Sequence, residues 1–384
     1  MNFDFATATR IVFGAGAFAH VGANVKNLGR RALVVTGKNP TRGEKLLANL
    51  SASDIGAATF SVSGEPEIST VKTGVALAKN EHCDFVIAIG GGSVIDAGKA
   101  IAAMLTNTGD LLDYLEIIGQ AKALPKRSAP FIAIPTTAGT GAEVTRNAVL
   151  ASPEHKVKVS LRSPLMLPRI AVVDPELTYD LPPALTATTG LDALTQLIEP
   201  YVCLRANPLT DGFCEQGIFR AARSLRDCVF NGQNQSARED MAIASLFGGL
   251  ALANAGLGAV HGFAGPIGGM FPAPHGAICA ALLPHVMAAN LRALRERDQN
   301  SYALRRYYRI ASMVTGNPNY VADTGVDWVH KLVADLPIPK LGAYGIREEH
   351  VADIVAKAAR ASSMKANPIT LTPDELAQTL RLAL

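Results

Sequence analysis

What this sequence has least of is charge of one sign. Its formal net charge is +3, and no basic run stands out. A nucleic-acid binder needs a basic face to meet the phosphate backbone, so that class is excluded. The five cysteines, at 83, 203, 214, 228 and 279, are scattered and form no CxxC pair. Neither a disulfide framework nor a thiolate zinc motif is suggested. The opening MNFDFATATR holds no apolar leader and no cleavage site, so a cytoplasmic location is expected. The widest gap in charge is internal. From Met241 to Leu291 there is no Asp, Glu, Lys or Arg. Within it, AIASLFGGLALANAGLGAV (242–260) is long enough to span a bilayer. It is rich in Gly and Ala, holds Asn254, and lacks flanking aromatic belts. A helix buried at the centre of a helical domain is expected there, and no membrane.

Hydrophobic residues make up 48% of the 384 and charged residues 18%. That is the balance of a well-buried globular chain with room for two or three domains. The first half alternates β-branched runs with helical spacing. RALVVTG (31–37), DFVIAIG (84–90), FIAIPTT (131–137), KVKVSL (156–161) and IAVVD (170–174) read as buried strands. TRGEKLLANLSAS and STVKTGVALAKNEHC, between the first three, have helical spacing. Strand, helix, strand implies a parallel sheet with helices on both faces. After LTYDLPPALTATTG the strand runs stop and long Ala/Leu stretches follow. The expected fold is therefore α/β plus all-α. A parallel-sheet domain takes residues 1–181 and a helical domain takes 182–384, divided where Pro182 and Pro183 interrupt any continuing element.

IAIGGGSVIDAGKA (87–100) reads as strand, glycine turn and helix start. Gly91 and Gly92 let backbone amides crowd an anion, and Ser93 is placed to cap the helix. It is not a Walker A loop, which would need Gly at 93 and Ser or Thr at 100. FGAGAFA (13–19) matches GxGxxA, but no acidic residue ends the next strand, and it reads as a turn. PTTAGTGAEVT (135–145) sets Thr136, Thr137 and Thr140 just after a strand, where α/β sheets bind ligands.

Asp192 and Gln196 lie four apart in GLDALTQLIEPYV (190–202), on one helical face. His261, His275 and His285 are the imidazoles of the charge-free stretch, and two begin His–Gly steps. Imidazoles facing Asp192 would form an N/O site suited to Fe, Zn, Ni or a similar divalent ion. The alternative is a metal-free hydrogen-bonded pair. His285 is expected to pack after Pro284.

GGGSVIDAGKA, PTTAGTGAEVT, LPPALTATTGLDALTQLIEPYV and HGFAGPIGGMFPAPHGAICAALLPHVM together resemble the iron-containing (group III) alcohol dehydrogenases, with their dehydroquinate synthase-like fold. The resemblance runs over essentially the whole chain. It implies an N-terminal dinucleotide domain, a C-terminal helical domain, and an active site in the cleft between them. It also implies interconversion of alcohols with aldehydes or ketones using NAD(H) or NADP(H), assisted by a metal. The family pattern Asp-x-x-x-His followed by two distant His falls on Asp192, Gln196, His261 and His275, so Gln196 departs from it. A second departure is Gly265, where many relatives carry another His. Asp192, His261 and His275 are the implied catalytic residues, and with Gln196 the metal ligands. Gly37, Lys38, Gly91, Gly92, Ser93, Asp96, Thr136, Thr137, Thr140 and Lys158 are the implied coenzyme residues. Relatives selecting NAD tend to have Asp where Gly37 stands. Its carboxylate would repel a 2′-phosphate, so Gly37 with Lys38 favours NADP(H), NAD(H) remaining open. Phe263, Ile267, Met270 and Phe271 are candidates to line a pocket for a small or medium apolar carbonyl.

A maleylacetate reductase-type reductase, which needs no metal, is the first rival. Others are a dehydroquinate synthase-type lyase and a non-catalytic dinucleotide binder with a degenerate site. A small-molecule substrate is the expected partner, and a homodimer the expected assembly.

Overall fold

The structure, a computed structural model, describes every residue except Met1, Lys156 and Tyr320. It divides into two compact units. One holds Phe5–Thr137 and Gly141–Thr178; the other holds residues 2–4, Ala138–Thr140 and Tyr179–Leu384. The division thus falls after Thr178, a little before the double proline. The carbonyl of Tyr179 accepts from Gln233 Nε2 at 3.2 Å and that of Leu181 from Arg238 at 3.5 Å, which ties this segment to the helical unit. Pro183 is not a break but the first residue of a helix, where a missing N–H costs nothing.

The α/β unit is a six-stranded sheet of β1 (Arg10–Phe13), β2 (Arg31–Thr36), β3 (Gly56–Ser61), β4 (Phe85–Gly90), β5 (Phe131–Pro135) and β8 (Ile170–Val173). Its order is β1-β8-β5-β4-β2-β3, and every pairing is parallel. The connecting helices are α1 (Val21–Val25), α2 (Pro40–Ser51), α3 (Ile68–Asn80) and α4 (Gly92–Thr106). The pleat sorts the central strands into two cores. Leu33, Val35, Val86, Ala88, Phe131 and Ala133 pack with Val71 of α3 and Ile95 and Ile101 of α4. Ala32, Val34, Ile87, Ile132 and Ile134 pack with Val25 of α1 and Leu46 and Leu50 of α2. A sheet buried on both faces has no polar alternation, which is why its central strands read as continuous apolar runs.

The run 156–161, apart from Lys156, which lies outside the described residues, does not join this sheet. It becomes β7 (Val157–Arg162), paired antiparallel with β6 (Asn147–Ser152) in a separate hairpin. Ala148, Leu150, Val159 and Leu161 turn inward to the core beside α4, while Val149 and Ser160 between them stay half-buried. That period-two pattern belongs to a strand with one covered face.

Among the described residues no strand follows Val173. The helical unit contains α5 (Pro183–Val202), α6 (Pro208–Phe230), α7 (Gln235–Asn254), α8 (Ala259–Met270), α9 (His275–Arg297), α10 (Tyr302–Thr315), α11 (Ala322–Asp335), α12 (Val351–Ala358) and α13 (Pro373–Leu382). Asn207–Pro208 and Thr372–Pro373 each start a helix with a side-chain cap and proline at the first position. Helix α5 packs against α6, α7 and α9 and is buried almost all round. The stretch 242–260 is not one helix. It breaks after Asn254, and α7 and α8 meet at 95°. Helix α9 is long and apolar enough to cross a membrane, yet 83% of its apolar window is buried inside the protein, as in the core helix of a bundle.

Candidate active site

Two sets of sequence candidates gather, one in each unit. In the sheet, β2 leads through α2 to β3 on one side, whereas β4 leads through α4 to β5 on the other. Connections that diverge from adjacent strands leave a crevice at their carboxyl ends, the usual nucleotide position in open α/β sheets. Gly37 and Lys38 follow β2, Gly91–Ser93 follow β4, and Thr136–Thr137 follow β5. A Cβ on Gly37 would meet Val94 Cγ2 at 3.8 Å, and one on Gly91 would meet the Thr137 side chain at 3.6 Å. The glycines divide the work. A Cβ on Gly90 would strike Val94 at 2.6 Å, so Gly90 lets α4 sit close on the strand end. Gly91 is the N-cap in extended backbone, and Gly92 opens the helix. The expected capping by Ser93 does not occur: α4 has no side-chain cap, and Ser93 lies within its first turn. Val94 N donates to Gly91 O at 3.0 Å; the amides before it have no carbonyl four residues back, so they are open to an anion.

The remaining coenzyme candidates have other engagements. Asp96 Oδ2 accepts from Val149 N of β6 at 3.0 Å. Lys158 Nζ pairs with Glu65 Oε1 at 3.2 Å. Lys38 is exposed. Thr140 groups with the helical unit, unlike Thr136 and Thr137. FGAGAFA is a turn, with Gly14 and Gly16 at positive φ. Asp174 accepts there from Gly16 N at 3.3 Å and Phe18 N at 2.9 Å.

In the helical unit, Asp192 of α5, His261 of α8, and His275 and Cys279 of α9 place four ligand atoms within 4.8 Å of one another. Asp192 Oδ1 lies 3.7 Å from His261 Nε2 and 3.6 Å from His275 Nε2. Cys279 Sγ lies 3.9 Å and 3.7 Å from the same two nitrogens. Asp192 Oδ1 and, one turn along, Gln196 Oε1 are buried with no hydrogen-bond partner. Two buried acceptor oxygens without a donor are costly, unless a cation is their partner. The donor set therefore fits a divalent metal ion.

His261 is oriented from behind. Its Nδ1 lies 2.7 Å from Glu199 Oε2, and Val260 N donates to Glu199 Oε1 at 2.7 Å. A carboxylate accepts only, so Nδ1 carries a proton, and the ring, once neutral, offers its Nε2 lone pair to the cluster. Gly258 makes this possible, since a Cβ there would lie 2.8 Å from Glu199 Oε1. The glycines of the two His–Gly steps also serve packing. A Cβ on Gly262 would meet Met364 at 2.8 Å, and one on Gly276 would meet the Thr188 carbonyl oxygen at 2.5 Å. Glu199→Gln is expected to lower metal affinity by about 10–100-fold with the fold retained. The amide can satisfy Val260 N only by turning its NH2 toward His261, which moves the ring proton to Nε2. Competition titration with a chromogenic chelator measures this, and unchanged affinity would refute the assignment.

Burial works against charge on both histidines, yet Cys279 and Asp192 outweigh it. His261, with Glu199 adding to them, is held well above the ordinary histidine value, and His275 is raised. Burial also opposes ionisation of Asp192, but His275, His261 and Gln196 more than offset it and its carboxyl lies below the usual range. The cluster is thus an environment that favours positive charge. His275 is its accessible member, with 37% of its side chain exposed against 7% for His261.

Glu199 and Cys279 escaped the sequence reading. Glu199 continues the Asp192–Gln196 face at the next turn of α5, and Cys279 lies one turn after His275. Those spacings were the available signals. Among the suggested pocket residues, Phe263 and Ile267 are fully buried in the helical core and cannot line a pocket. Phe271 stacks edge-on against His350, and Met270 Sδ accepts from Lys357 Nζ at 3.4 Å. His285 stands apart from the cluster, against His330 at 4.9 Å between ring centres. Gly265 is exposed, and a Cβ there would meet nothing within 4 Å.

A parallel sheet with a glycine-bounded crevice, followed by a helical unit carrying a carboxylate–imidazole cluster, fits a metal-assisted dinucleotide enzyme. The iron-containing alcohol dehydrogenase profile matches residues 8–175, and that of the Fe-containing alcohol dehydrogenase family's C-terminal domain matches 186–384. The 1,3-propanediol dehydrogenase of Citrobacter freundii is 36% identical, over 99% of this chain and 98% of that one. A solved 1,3-propanediol oxidoreductase superposes with a TM-score of 0.93 at 36% identity, covering 100% of both chains. A sulfoacetaldehyde reductase from Bifidobacterium kashiwanohense, solved in complex with NAD+, has a TM-score of 0.87 at 29% identity, covering 99% and 98%. This chain belongs to the iron-containing alcohol dehydrogenase family. It is an oxidoreductase acting on alcohols.

Proposed function

We propose that this protein interconverts a small or medium alcohol and its aldehyde or ketone. Hydride passes to or from a nicotinamide dinucleotide seated on Gly91–Ser93, with a divalent cation held by Asp192, His261, His275 and Gln196. The observation that carries the reading is the pair of buried, partnerless oxygens of Asp192 and Gln196 beside an imidazole whose Nε2 lone pair Glu199 frees. When bound, the cation supplies Lewis acidity at the substrate oxygen, and the nicotinamide carries the hydride. Asp192 brings the negative charge, and Glu199 fixes the tautomer of His261. Gln196 brings only a neutral amide oxygen, a weaker donor than imidazole. The five cysteines are free and buried, which supports a cytoplasmic setting. Turnover of short alcohols and aldehydes, measured after chelation and after add-back of iron, zinc, nickel or magnesium, tests the reading. Chelation should abolish turnover and add-back restore it. Turnover untouched by chelation and by His275→Ala would favour a metal-independent reductase instead.

For the coenzyme we favour NADP(H). Gly37 offers no carboxylate against a 2′-phosphate, and the exposed Lys38 adds a positive charge beside it. The solved reductase relative holds NAD+, so the preference must come from this chain's own loop. Gly37→Asp is expected to shift the ratio of kcat/KM values toward NAD(H) by about tenfold or more, each tenfold being about 1.4 kcal/mol. A wild type that strongly prefers NAD(H), or a ratio unmoved by the substitution, would sink the argument.

A further inference from the structure

We infer that the Cys279 thiolate is the strong fourth ligand of this metal site, standing in for the imidazole that Gln196 replaces, and that it turns the site toward zinc-type metals. The inference rests on the metal reading above and concerns only which atoms hold the ion.

The geometry carries it. A tetrahedral site with metal–nitrogen and metal–oxygen distances near 2.1 Å spaces those ligand atoms about 3.4 Å apart, and a sulfur at about 2.3 Å lies about 3.6 Å from each nitrogen. Asp192 Oδ1 stands 3.6 and 3.7 Å from the two Nε2 atoms, and Cys279 Sγ stands 3.7 and 3.9 Å from them. These four separations are within a few tenths of an ångström of the values for one shared ion, and all four atoms lie within 4.8 Å of one another. The three helices differ in how they supply these atoms. α5 gives Asp192, α8 gives His261, and α9 gives His275 and Cys279 one turn apart. Cys279 is fully buried, so its sulfur has no route to the surface and faces the two imidazoles.

The charges agree. Asp192 and a Cys279 thiolate together neutralise a divalent ion, with both histidines neutral. Any proton carried by these donor atoms leaves to solvent on binding, and no electron changes hands. Thiolate and imidazole are soft and borderline donors, suited to zinc over magnesium, and they compensate for the weak amide oxygen of Gln196. The other four cysteines lie outside the cluster.

Cobalt(II) loaded into the purified enzyme should give a thiolate-to-cobalt charge-transfer band in the near ultraviolet. The zinc form should show a sulfur shell near 2.3 Å by X-ray absorption. Cys279→Ser should lose both signals and bind zinc at least tenfold more weakly, whereas Gln196→Ala should keep both. Circular dichroism checks that Cys279→Ser is folded. If it is not, the sulfur shell of the wild-type zinc form decides alone. An ion bound in an all-nitrogen-and-oxygen shell overturns the Cys279 assignment while leaving the metal reading intact. A wild type that takes up neither cobalt nor zinc overturns both.

Discussion

Asp192→Ala is expected to abolish stoichiometric metal binding and to lower kcat/KM by about 10³-fold or more. Asp192 is the one carboxylate whose oxygen stands among the ligand atoms, and that Oδ1 is buried without a partner. Alanine also takes the carboxylate away from Gln196 and the two imidazoles, so a thermal melt must show that the variant is folded before the loss is read as metal loss. The charge it removes is what draws a cation into a buried helical core. Lewis acidity at a substrate oxygen contributes several kcal/mol, and each 1.36 kcal/mol is tenfold in rate, so three decades is the expected scale. Metal analysis by mass spectrometry and steady-state kinetics at saturating coenzyme read the two effects. Near-normal turnover in a metal-free Asp192→Ala enzyme would leave hydride transfer relying on side-chain hydrogen bonds alone.

The second large effect is on stability. Lys99 of α4 is fully buried. Its ammonium donates to Ala142 O at 2.7 Å, Thr145 Oγ1 at 2.9 Å and Asn147 O at 2.8 Å, with Asp96 Oδ1 at 3.8 Å. These contacts fasten the segment between β5 and β6, the one that follows Thr136 and Thr137, to the helix that begins at Gly92. Lys99→Met would leave two carbonyls and a hydroxyl short of a donor, and Glu143 without its cation. Removing one partner of a buried ionic group costs about 3–5 kcal/mol. In a protein of this size that lowers Tm by roughly 5 °C. Burial already pushes the Glu143 carboxyl from 4.5 up to about 7, with Lys99 holding it down. A carboxyl raised on folding contributes stability below its ordinary value and loses it as pH climbs to the folded one. The wild type should therefore lose that part of its stability between about pH 4.5 and 7, and Lys99→Met should extend the loss to higher pH. Thermal melts across this range check both statements. A Lys99→Met melt superposing on the wild type would show that the buried ammonium does not hold this segment.

Much of this was already written in the chain. β2, β4, β5 and β8 are covered on both faces, so Val, Ile and Ala run continuously through them and no other element explains such runs. The helical period alone puts Asp192 and Gln196 on one face of α5, and both side chains are buried. The glycines at 90–92 announce a close strand-to-helix turn, because only a residue without Cβ fits beneath Val94. β1, β3 and β6 were not legible, for a physical reason. β1 and β3 are sheet edges, β3 is mostly half-exposed GAATFS, and β6 lies in a hairpin covered on one side. None of them has the two-sided burial that marks a strand in sequence. Tertiary structure alone decided the order of the sheet, and with it the crevice between β2 and β4. It alone broke 242–260 into two helices at 95°, which turned His261 toward α5. It also brought Glu199 behind His261 and Cys279 in front of it. Their partner atoms come from another helix, and a side chain's chemistry in a buried site is set by neighbours that local spacing does not record.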